Sequence, residues 1–278
     1  MTLSPLRPVL MAARDAGVGV GAFNVIQLEH AEALVRAAER TGLPVVLQIS
    51  ENAAKYHGAL APIALATHAV AAASDAICVL HLDHAESPPL VHEALELGFT
   101  SVMFDASKLP DDRNRAVTAE VARRCHDAGV SIEAELGEVG GKDGVHAPGA
   151  RTDPAQAARF VADTGVDALA VAVGSSHAMT TRDATLDLEL ITRLRAAVDV
   201  PLVLHGSSGV PDAGLVDAVR SGMTKVNIAT HLNTVFTGAV REYLDREPGV
   251  VDTRKYLGAA RDAVEDETAR LLQMLHDS

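Results

Sequence analysis

The sequence predicts an α/β protein of the (β/α)8 class, a TIM barrel, in which residues 1–278 form a single domain with an extra C-terminal helix. Short, nearly continuous apolar runs alternate with amphipathic segments, which is typical of parallel strands covered by helices. Eight strand–helix repeats follow one another without a linker rich in proline or glycine. A doubly wound sheet is the alternative, but Phe23-Asn24-Val25 lacks the glycine-rich turn which that fold uses after its first strand.

The strands are predicted where apolar residues run together, at 20–25, 44–49, 76–82, 100–104, 130–136, 167–173, 200–205 and 223–228. The helices are predicted from apolar residues at helical spacing, at 28–41, 60–74, 88–97, 111–128, 153–164, 187–198, 211–221 and 230–246. One further helix, at 258–275, closes the chain. Glycine favours helix C-termini and precedes the next strand at Gly42, Gly98, Gly129, Gly165 and Gly222.

Composition narrows the class of function. The formal net charge of −13 argues against binding to nucleic acid or to an anionic membrane surface. The sequence shows no stretch that is long and apolar enough to span a bilayer, and no signal-type apolar core near its start. Two cysteines, Cys78 and Cys125, cannot build a disulfide framework, so we expect a protein of the reducing cytoplasm. Phosphorylated substrates stay compatible with the charge, because backbone N–H groups can hold a phosphate locally.

Polar side chains stand at the carboxyl end of every predicted strand. In a barrel of this class these ends meet at one rim, where the chemistry takes place. The residues in question are, in chain order, Asn24, Gln48, Ser50, Asp83, His84, Asp105, Glu133, Glu135, His177, His205 and Asn227. So many polar groups on apolar strands exceed what a solvated rim requires, and they predict a functional site.

Three of the rim residues are histidines: His84, His177 and His205. Three imidazoles that converge on one point form a catalytic zinc site with an open fourth position. Asp83, next to His84, adds a carboxylate that can move protons. A single strand-end histidine is more often a hydrogen-bonded structural residue. We interpret seven others, in helices and loops, in that way: His30, His57, His68, His92, His126, His146 and His231.

The loops after strands seven and eight carry small polar residues and lead into helices. Gly206-Ser207-Ser208-Gly209 follows strand seven, and Asn227-Ile228-Ala229-Thr230 ends strand eight. In this fold the two loops commonly hold a phosphate through backbone N–H groups and a helix N-terminus. Two ordinary turns are the alternative interpretation.

Two further features bear on the chemistry. The glycine-rich segment 140–149 is either a surface loop or a lid whose carboxylate enters the site on closure. Lys225, inside strand eight, is the one candidate nucleophile for a Schiff-base mechanism. The three metal-type histidines make the Schiff base the weaker route.

Six segments carry a resemblance to a known family: Ala22-Phe23-Asn24, His81-Leu82-Asp83-His84, Glu133-Ala134-Glu135-Leu136-Gly137, Gly140-Gly141, Pro201-Leu202-Val203-Leu204-His205-Gly206 and Lys225-Val226-Asn227-Ile228-Ala229-Thr230. They span nearly the whole chain, in order. Together they resemble the class II, zinc-dependent ketose-bisphosphate aldolases, which include the fructose- and tagatose-bisphosphate aldolases. The set is highly specific for the family and only modestly specific for a substrate.

The resemblance implies reversible cleavage of a phosphorylated ketose, such as fructose 1,6-bisphosphate or tagatose 1,6-bisphosphate, into dihydroxyacetone phosphate and glyceraldehyde 3-phosphate. It implies that Asp83 gives and takes the proton at the aldehyde oxygen. The zinc ligands would be His84, His177 and His205, with Glu135 at an alternative zinc position. Substrate would be held by Asn24, Ser50, Gly206, Ser207, Ser208, Asn227, Ile228, Ala229 and Thr230. The family also leaves room for a monovalent cation near the site, and its members are typically homodimers or homotetramers.

Three departures from the family leave the metal chemistry intact but bear on the substrate beyond dihydroxyacetone phosphate. Asp143 stands where relatives carry a loop glutamate, Ala178 where they offer a glycine to the phosphate, and Gly258 where they often place an arginine. Arg261 is a candidate replacement for that arginine. We predict that Asp143 is the base for the ketose-derived carbon, with Glu138 as the competing candidate. The alternatives for the chain are an aldolase of another ketose 1-phosphate and a non-catalytic sugar-phosphate-binding barrel.

Overall fold

A computed structural model describes residues 3–136, 151–175 and 181–278. Eight parallel strands close into one barrel in chain order, each paired with its two sequence neighbours and β8 paired with β1. The strands are β1 Val20–Asn24, β2 Val45–Ser50, β3 Cys78–Ala85, β4 Ser101–Phe104, β5 Ser131–Glu135, β6 Ala168–Ala170, β7 Leu202–Leu204 and β8 Met223–Ile228. The predicted TIM barrel is therefore confirmed.

Helices surround the barrel. They are α1 Leu6–Ala16, α2 Leu28–Thr41, α3 Glu51–His57, α4 Ala61–Ala72, α5 Pro88–Glu96, α6 Asp111–Asp127, α7 Pro154–Thr164, α8 Leu188–Ala197, α9 Asp212–Ser221, α10 Thr230–Arg246 and α11 Thr253–His276. The five glycines predicted at helix ends all adopt positive φ. Among the described residues, no helix is both long and apolar enough to cross a membrane.

Two helices and one helix start were absent from the prediction. Helix α1 contains Pro8, which is tolerated because it lies in the first turn, where the missing N–H has no helical partner to lose. Helix α3 is short and begins at Glu51, after the N-cap residue Ser50, whose hydroxyl accepts a hydrogen bond from the N–H of Ala53. Helix α11 begins at Thr253, ahead of the predicted 258, because Asp252 caps it and the helix continues through Gly258.

The apolar core has two parts. The larger part fills the space between the strands and the surrounding helices. The smaller part lies inside the barrel at its amino end, where Leu6 and Leu10 of α1 pack against Val46, Val79 and Val203. Helix α1 therefore closes the amino end of the barrel, and the polar interior residues are left near the carboxyl end.

Candidate active site

The end of β3 brings three polar side chains to the inside of the barrel. His81 and Asp83 are two residues apart and both buried, as expected for residues on one face of a strand. The pairing with β4 shifts register between Leu82 and Ala85, and within this irregularity His84 adopts φ 51, in the left-handed region. This local bulge lets His84 turn inward beside Asp83, where a regular strand would send it to the opposite face.

His84 meets His205, the residue that follows β7. Their rings lie 4.7 Å apart between centroids, at an interplanar angle of 66°. One polar atom from each of Asp83, His84 and His205 lies within 4.8 Å of the others, close enough for a single metal ion. The third predicted ligand, His177, lies outside the described residues.

A second, overlapping group lies on the other side of His84. It consists of His84, Asp105 and Glu135, again with one polar atom each within 4.8 Å. Asp105 follows β4, and its Oδ2 accepts a hydrogen bond from Nδ1 of His84 at 3.0 Å. Its Oδ1 accepts from both the N–H and the hydroxyl of Ser107, at 3.1 and 2.6 Å. Glu135 thus shares a cluster of potential metal donors with His84 and Asp105.

Electrostatics at this rim favours a cation. Burial works to lower the pKa of His84, but the charge of Asp83, the hydrogen bond with Asp105 and the charge of Glu135 raise it to about 10. Burial opposes the ionisation of Asp83 and Asp105, yet the neighbouring His84 holds the pKa of both carboxyls below the ordinary value. A metal ion at this point would replace the proton on the imidazole, because histidine binds metal in its neutral form.

Lys225 lies deeper in the barrel than the predicted ligands. Its side chain is fully buried, and Nζ donates to Oε2 of Glu133 at 2.8 Å. A Schiff-base nucleophile must reach the substrate carbonyl as a free amine. A buried ammonium paired with a carboxylate does not meet that requirement, so the geometry disfavours the Schiff-base alternative.

The two predicted phosphate loops are joined to one another. The Ser207 hydroxyl donates to the carbonyl of Asn227, and the Ser208 hydroxyl accepts from the N–H groups of Ala229 and His231, both at 3.3 Å. Gly206 makes the turn after β7 with φ 66. Helix α10 begins at Thr230, so its N-terminal N–H groups lie at this junction.

The predicted substrate residues of the first two strands also lie side by side. Asn24 ends β1 and Ser50 ends β2, and the two strands pair with Asn24 opposite Gln48. The Gln48 side chain is buried and donates to the Asn24 side-chain oxygen at 3.0 Å. Gln48 therefore positions Asn24 at the rim. The place of Gln48 near the end of β2 did not by itself indicate this role.

The structure adds Asp105 to the predicted site and leaves three predicted residues aside. Asp105 was recognised only as a strand-end carboxylate; the signal for its partnership with His84 was that β3 and β4 are neighbours in the predicted barrel. His177, Asp143 and Glu138 lie outside the described residues.

Four of the histidines interpreted as structural have partners that fit that interpretation. The ring of His30 lies against Phe236, and Nε2 of His57 lies 2.7 Å from the carbonyl of Ile26. The carboxylates of two acidic residues lie within hydrogen-bonding distance of the rings of the other two, Asp167 for His126 and Glu267 for His231.

Comparison with known proteins decides the family. The sequence profile described as "Fructose-bisphosphate aldolase class-II" matches residues 4–278. A fructose-bisphosphate aldolase of Staphylococcus epidermidis is 38% identical over 270 residues, which cover 96% of this chain and 94% of the relative. The chain belongs to the class II fructose-bisphosphate aldolase family.

Two other comparisons agree with this assignment. A fructose-bisphosphate aldolase of Staphylococcus aureus strain Mu50 is 37% identical over 270 residues, which cover 96% of this chain and 94% of the relative. The crystal structure of the YdjI aldolase from Escherichia coli K12 superposes with a TM-score of 0.88 and 31% identity, covering 99% of this chain and 97% of that one. Membership makes the chain an aldolase, a lyase of carbohydrate metabolism whose substrates are sugar phosphates.

Class II aldolases are generally metal-dependent, and the residues at this rim fit a metal ion. Imidazole nitrogen and carboxylate oxygen are the donor types that Zn²⁺ takes in proteins. Asp83, a member of the cluster, has an Oδ1 that is buried and has no hydrogen-bond partner among the described residues, so it keeps unused acceptor capacity. The cluster therefore has the donors, the spacing and the negative charge that a divalent cation requires.

Proposed function

We propose that the protein is a zinc-dependent aldolase that reversibly cleaves a phosphorylated ketose, such as fructose 1,6-bisphosphate or tagatose 1,6-bisphosphate, into dihydroxyacetone phosphate and an aldehyde such as glyceraldehyde 3-phosphate. The observation that carries the proposal is the meeting of Asp83, His84 and His205 within 4.8 Å at one rim of the barrel. Family membership supplies the reaction type, and this cluster supplies groups that can perform it.

The metal would be held by His84 and His205, with His177 as the third ligand and Glu135 at an alternative position. When bound, Zn²⁺ would withdraw electron density from the substrate ketone and stabilise the negative charge that develops as the adjacent C–C bond breaks. Within this chain, Asp105 orients His84 through the 3.0 Å hydrogen bond to Nδ1. A monovalent cation near the site is part of the same proposal.

Asp83 is the proposed proton carrier at the aldehyde oxygen. It is 4% exposed, its Oδ1 has no hydrogen-bond partner in the described part of the chain, and it lies beside the proposed ligands. A carboxylate in this place can take the proton of the hydroxyl that becomes the aldehyde, and can return it in the condensation direction. Asp143 is the proposed base for the ketose-derived carbon, with Glu138 as its competitor.

The dihydroxyacetone-phosphate half of the substrate would lie against the joined loops, Gly206, Ser207 and Ser208 on one side and Asn227, Ile228, Ala229 and Thr230 on the other. The serine–backbone hydrogen bonds between the loops support this placement, because they keep the start of α10 in one orientation. Asn24 and Ser50, at the ends of β1 and β2, are proposed to bind substrate hydroxyls. The whole of residues 1–278 would form this one aldolase domain, working as a cytoplasmic homodimer or homotetramer.

One observation on the residues expected to contact the aldehyde half of the substrate favours a second candidate substrate class. Gly258 stands where relatives often carry an arginine, and Arg261 already pairs with Glu32 at 2.9 Å and with Asp262 at 3.3 Å. An arginine engaged with two carboxylates is a poor phosphate ligand unless those pairs break. A ketose 1-phosphate with an uncharged far end is therefore the second candidate.

The test is a retro-aldol screen of the metal-loaded protein with fructose 1,6-bisphosphate, tagatose 1,6-bisphosphate and several ketose 1-phosphates. Dihydroxyacetone phosphate is measured with a coupled dehydrogenase. We expect release of dihydroxyacetone phosphate from at least one ketose. The value of kcat/KM should differ between the bisphosphates and the ketose 1-phosphates, and the higher value identifies the preferred substrate class. Saturable binding of these sugars without release of dihydroxyacetone phosphate would instead support a non-catalytic sugar-phosphate-binding barrel.

A further inference from the structure

A group of ionisable side chains lies inside the barrel, beneath the proposed metal ligands. It consists of Lys225 from β8, Glu133 from β5 and His81 from β3, and all three side chains are fully buried. Removing charged groups from water is costly, and a buried ion pair often contributes nothing to stability compared with apolar residues of similar size. The presence of this pair directly below the site therefore calls for a reason other than stability.

Glu133 joins this group to His205. Its Oε2 accepts from Lys225 Nζ at 2.8 Å, and its Oε1 accepts from His205 Nε2 at 3.0 Å. A carboxylate that is ionised can only accept hydrogen bonds, so Nε2 of His205 carries the proton. The other ring nitrogen, Nδ1, then faces the rim, 3.3 Å from Oε2 of Glu135.

Lys225 is itself held from a second side. Its Nζ lies 3.5 Å from Nε2 of His81, and Nδ1 of His81 lies 2.8 Å from the Ser101 hydroxyl. Because an ammonium only donates, His81 Nε2 is the acceptor and Nδ1 donates to Ser101. The ammonium is thus placed by contacts on β3 and β5, and it fixes which oxygen of Glu133 is left for His205.

We propose that Glu133 and Lys225 are positioning residues for His205: Lys225 engages one oxygen of Glu133, so that the other oxygen accepts the Nε2 proton and directs Nδ1 of the imidazole to the metal. The proposal rests on the proposed function in one respect, that His205 is a metal ligand. It gives the buried lysine a role that does not involve contact with substrate.

The geometry makes an unusual prediction for the amide at position 133. In Glu133→Gln the single amide oxygen is drawn to the Lys225 ammonium, which leaves the NH2 group facing the Nε2 proton of His205. In Glu133→Gln/Lys225→Met the oxygen is released to accept from His205, and the NH2 group faces His81 Nε2, which lies 4.0 Å from Glu133 Oε2 in the native protein. The second substitution should therefore repair the first.

Zinc affinity is measured by competition with a chromophoric chelator, and the geometry at the metal by the visible spectrum of the Co²⁺-loaded protein. Glu133→Ala and Glu133→Gln should each lower zinc affinity by about 10- to 100-fold, as loss of an outer-shell partner typically does. Glu133→Gln/Lys225→Met should recover most of that affinity and a spectrum close to wild type. Lys225→Met should have no further effect on zinc affinity in the Glu133→Ala background, since Lys225 acts through Glu133.

Asp167→Asn is the matched control, because Asp167 is a buried carboxylate at the opposite end of the barrel, bonded to the N–H of Ile132. It should lower the melting temperature without changing zinc affinity. A further loss of zinc affinity when Lys225→Met is added to Glu133→Ala would refute the positioning role. Wild-type zinc affinity and a wild-type Co²⁺ spectrum in Glu133→Ala would refute it too. Failure of the proposed function would give a different result. The wild-type protein and His205→Ala would then bind zinc with the same affinity.

Discussion

The hydrogen bond between Asp105 and His84 gives a prediction whose size follows from the structure. In Asp105→Asn, the amide oxygen keeps the two bonds from Ser107, because both native donors converge on Oδ1. The amide NH2 group then replaces Oδ2 and faces Nδ1 of His84 at the 3.0 Å separation of the native bond. Two donors confront each other, so the imidazole loses its orienting partner while the volume of the side chain is preserved.

The magnitude can be worked out from the kind of bond that is lost. A hydrogen bond to a charged group is worth about 1.5–3 kcal/mol. Since about 1.4 kcal/mol corresponds to a factor of ten in an equilibrium constant, zinc affinity should fall by about 10- to 100-fold. The loss should concern metal binding first, and activity should return towards wild type when zinc is supplied in excess.

The assay is zinc competition with a chelator, together with the zinc dependence of retro-aldol turnover. Asp111→Asn is the control, because Asp111 is exposed and pairs within α6 with Arg115, at 2.8 Å. That variant should match wild type in both measurements. Unchanged zinc affinity in Asp105→Asn would show that His84 is not oriented by Asp105, or that it is not a ligand.

Three further predictions concern other residues. Asp83→Ala should lower turnover by about 10²-fold or more while zinc content persists, since the loss is that of a general acid–base group; joint loss of metal would contradict its role as a non-ligand. Asp143→Ala should abolish exchange of the dihydroxyacetone-phosphate C3 proton with solvent deuterium while binding changes little; survival there and loss in Glu138→Ala would move the base to Glu138. Burial opposes ionisation of Glu267, but hydrogen bonds with Arg270 and His231 lower its pKa from 4.5 to about 2. The unfolding free energy lost in Glu267→Gln should therefore be greatest above pH 4.5 and shrink as the pH falls towards 2, as denaturant titrations at several pH values would show; a constant difference would contradict this.

The barrel could be predicted because its signals are local. Apolar strands, amphipathic helices and glycine at the helix ends recur in order, and the structure closes them in that order. Helix α1 was not predicted; Pro8 is compatible with it, because in the first turn proline removes no helical hydrogen bond. Its role as the closure of the barrel's amino end depends on tertiary packing and not on helix signals.

The candidate site was predictable as a set of strand ends but not as a network. His84 illustrates the difference, because alternation along β3 sends it away from Asp83, and only the irregular pairing with β4 turns it inward. Lys225 illustrates another limit. The sequence shows a lysine in an apolar strand, but not that Glu133, far away in the chain, lies 2.8 Å from it. Partnerships across the barrel interior depend on register and depth, which local sequence does not specify.

Chelation and reconstitution of the wild-type protein test the central claim most directly. The protein is treated with a strong chelator, assayed for release of dihydroxyacetone phosphate from fructose 1,6-bisphosphate and the other ketoses, and assayed again after one equivalent of Zn²⁺ is added. We predict that activity disappears and returns, and that His205→Ala, treated in the same way, does not recover because it lacks one of three protein ligands. Full activity after chelation, with borohydride trapping substrate on Lys225, would contradict the metal-dependent mechanism.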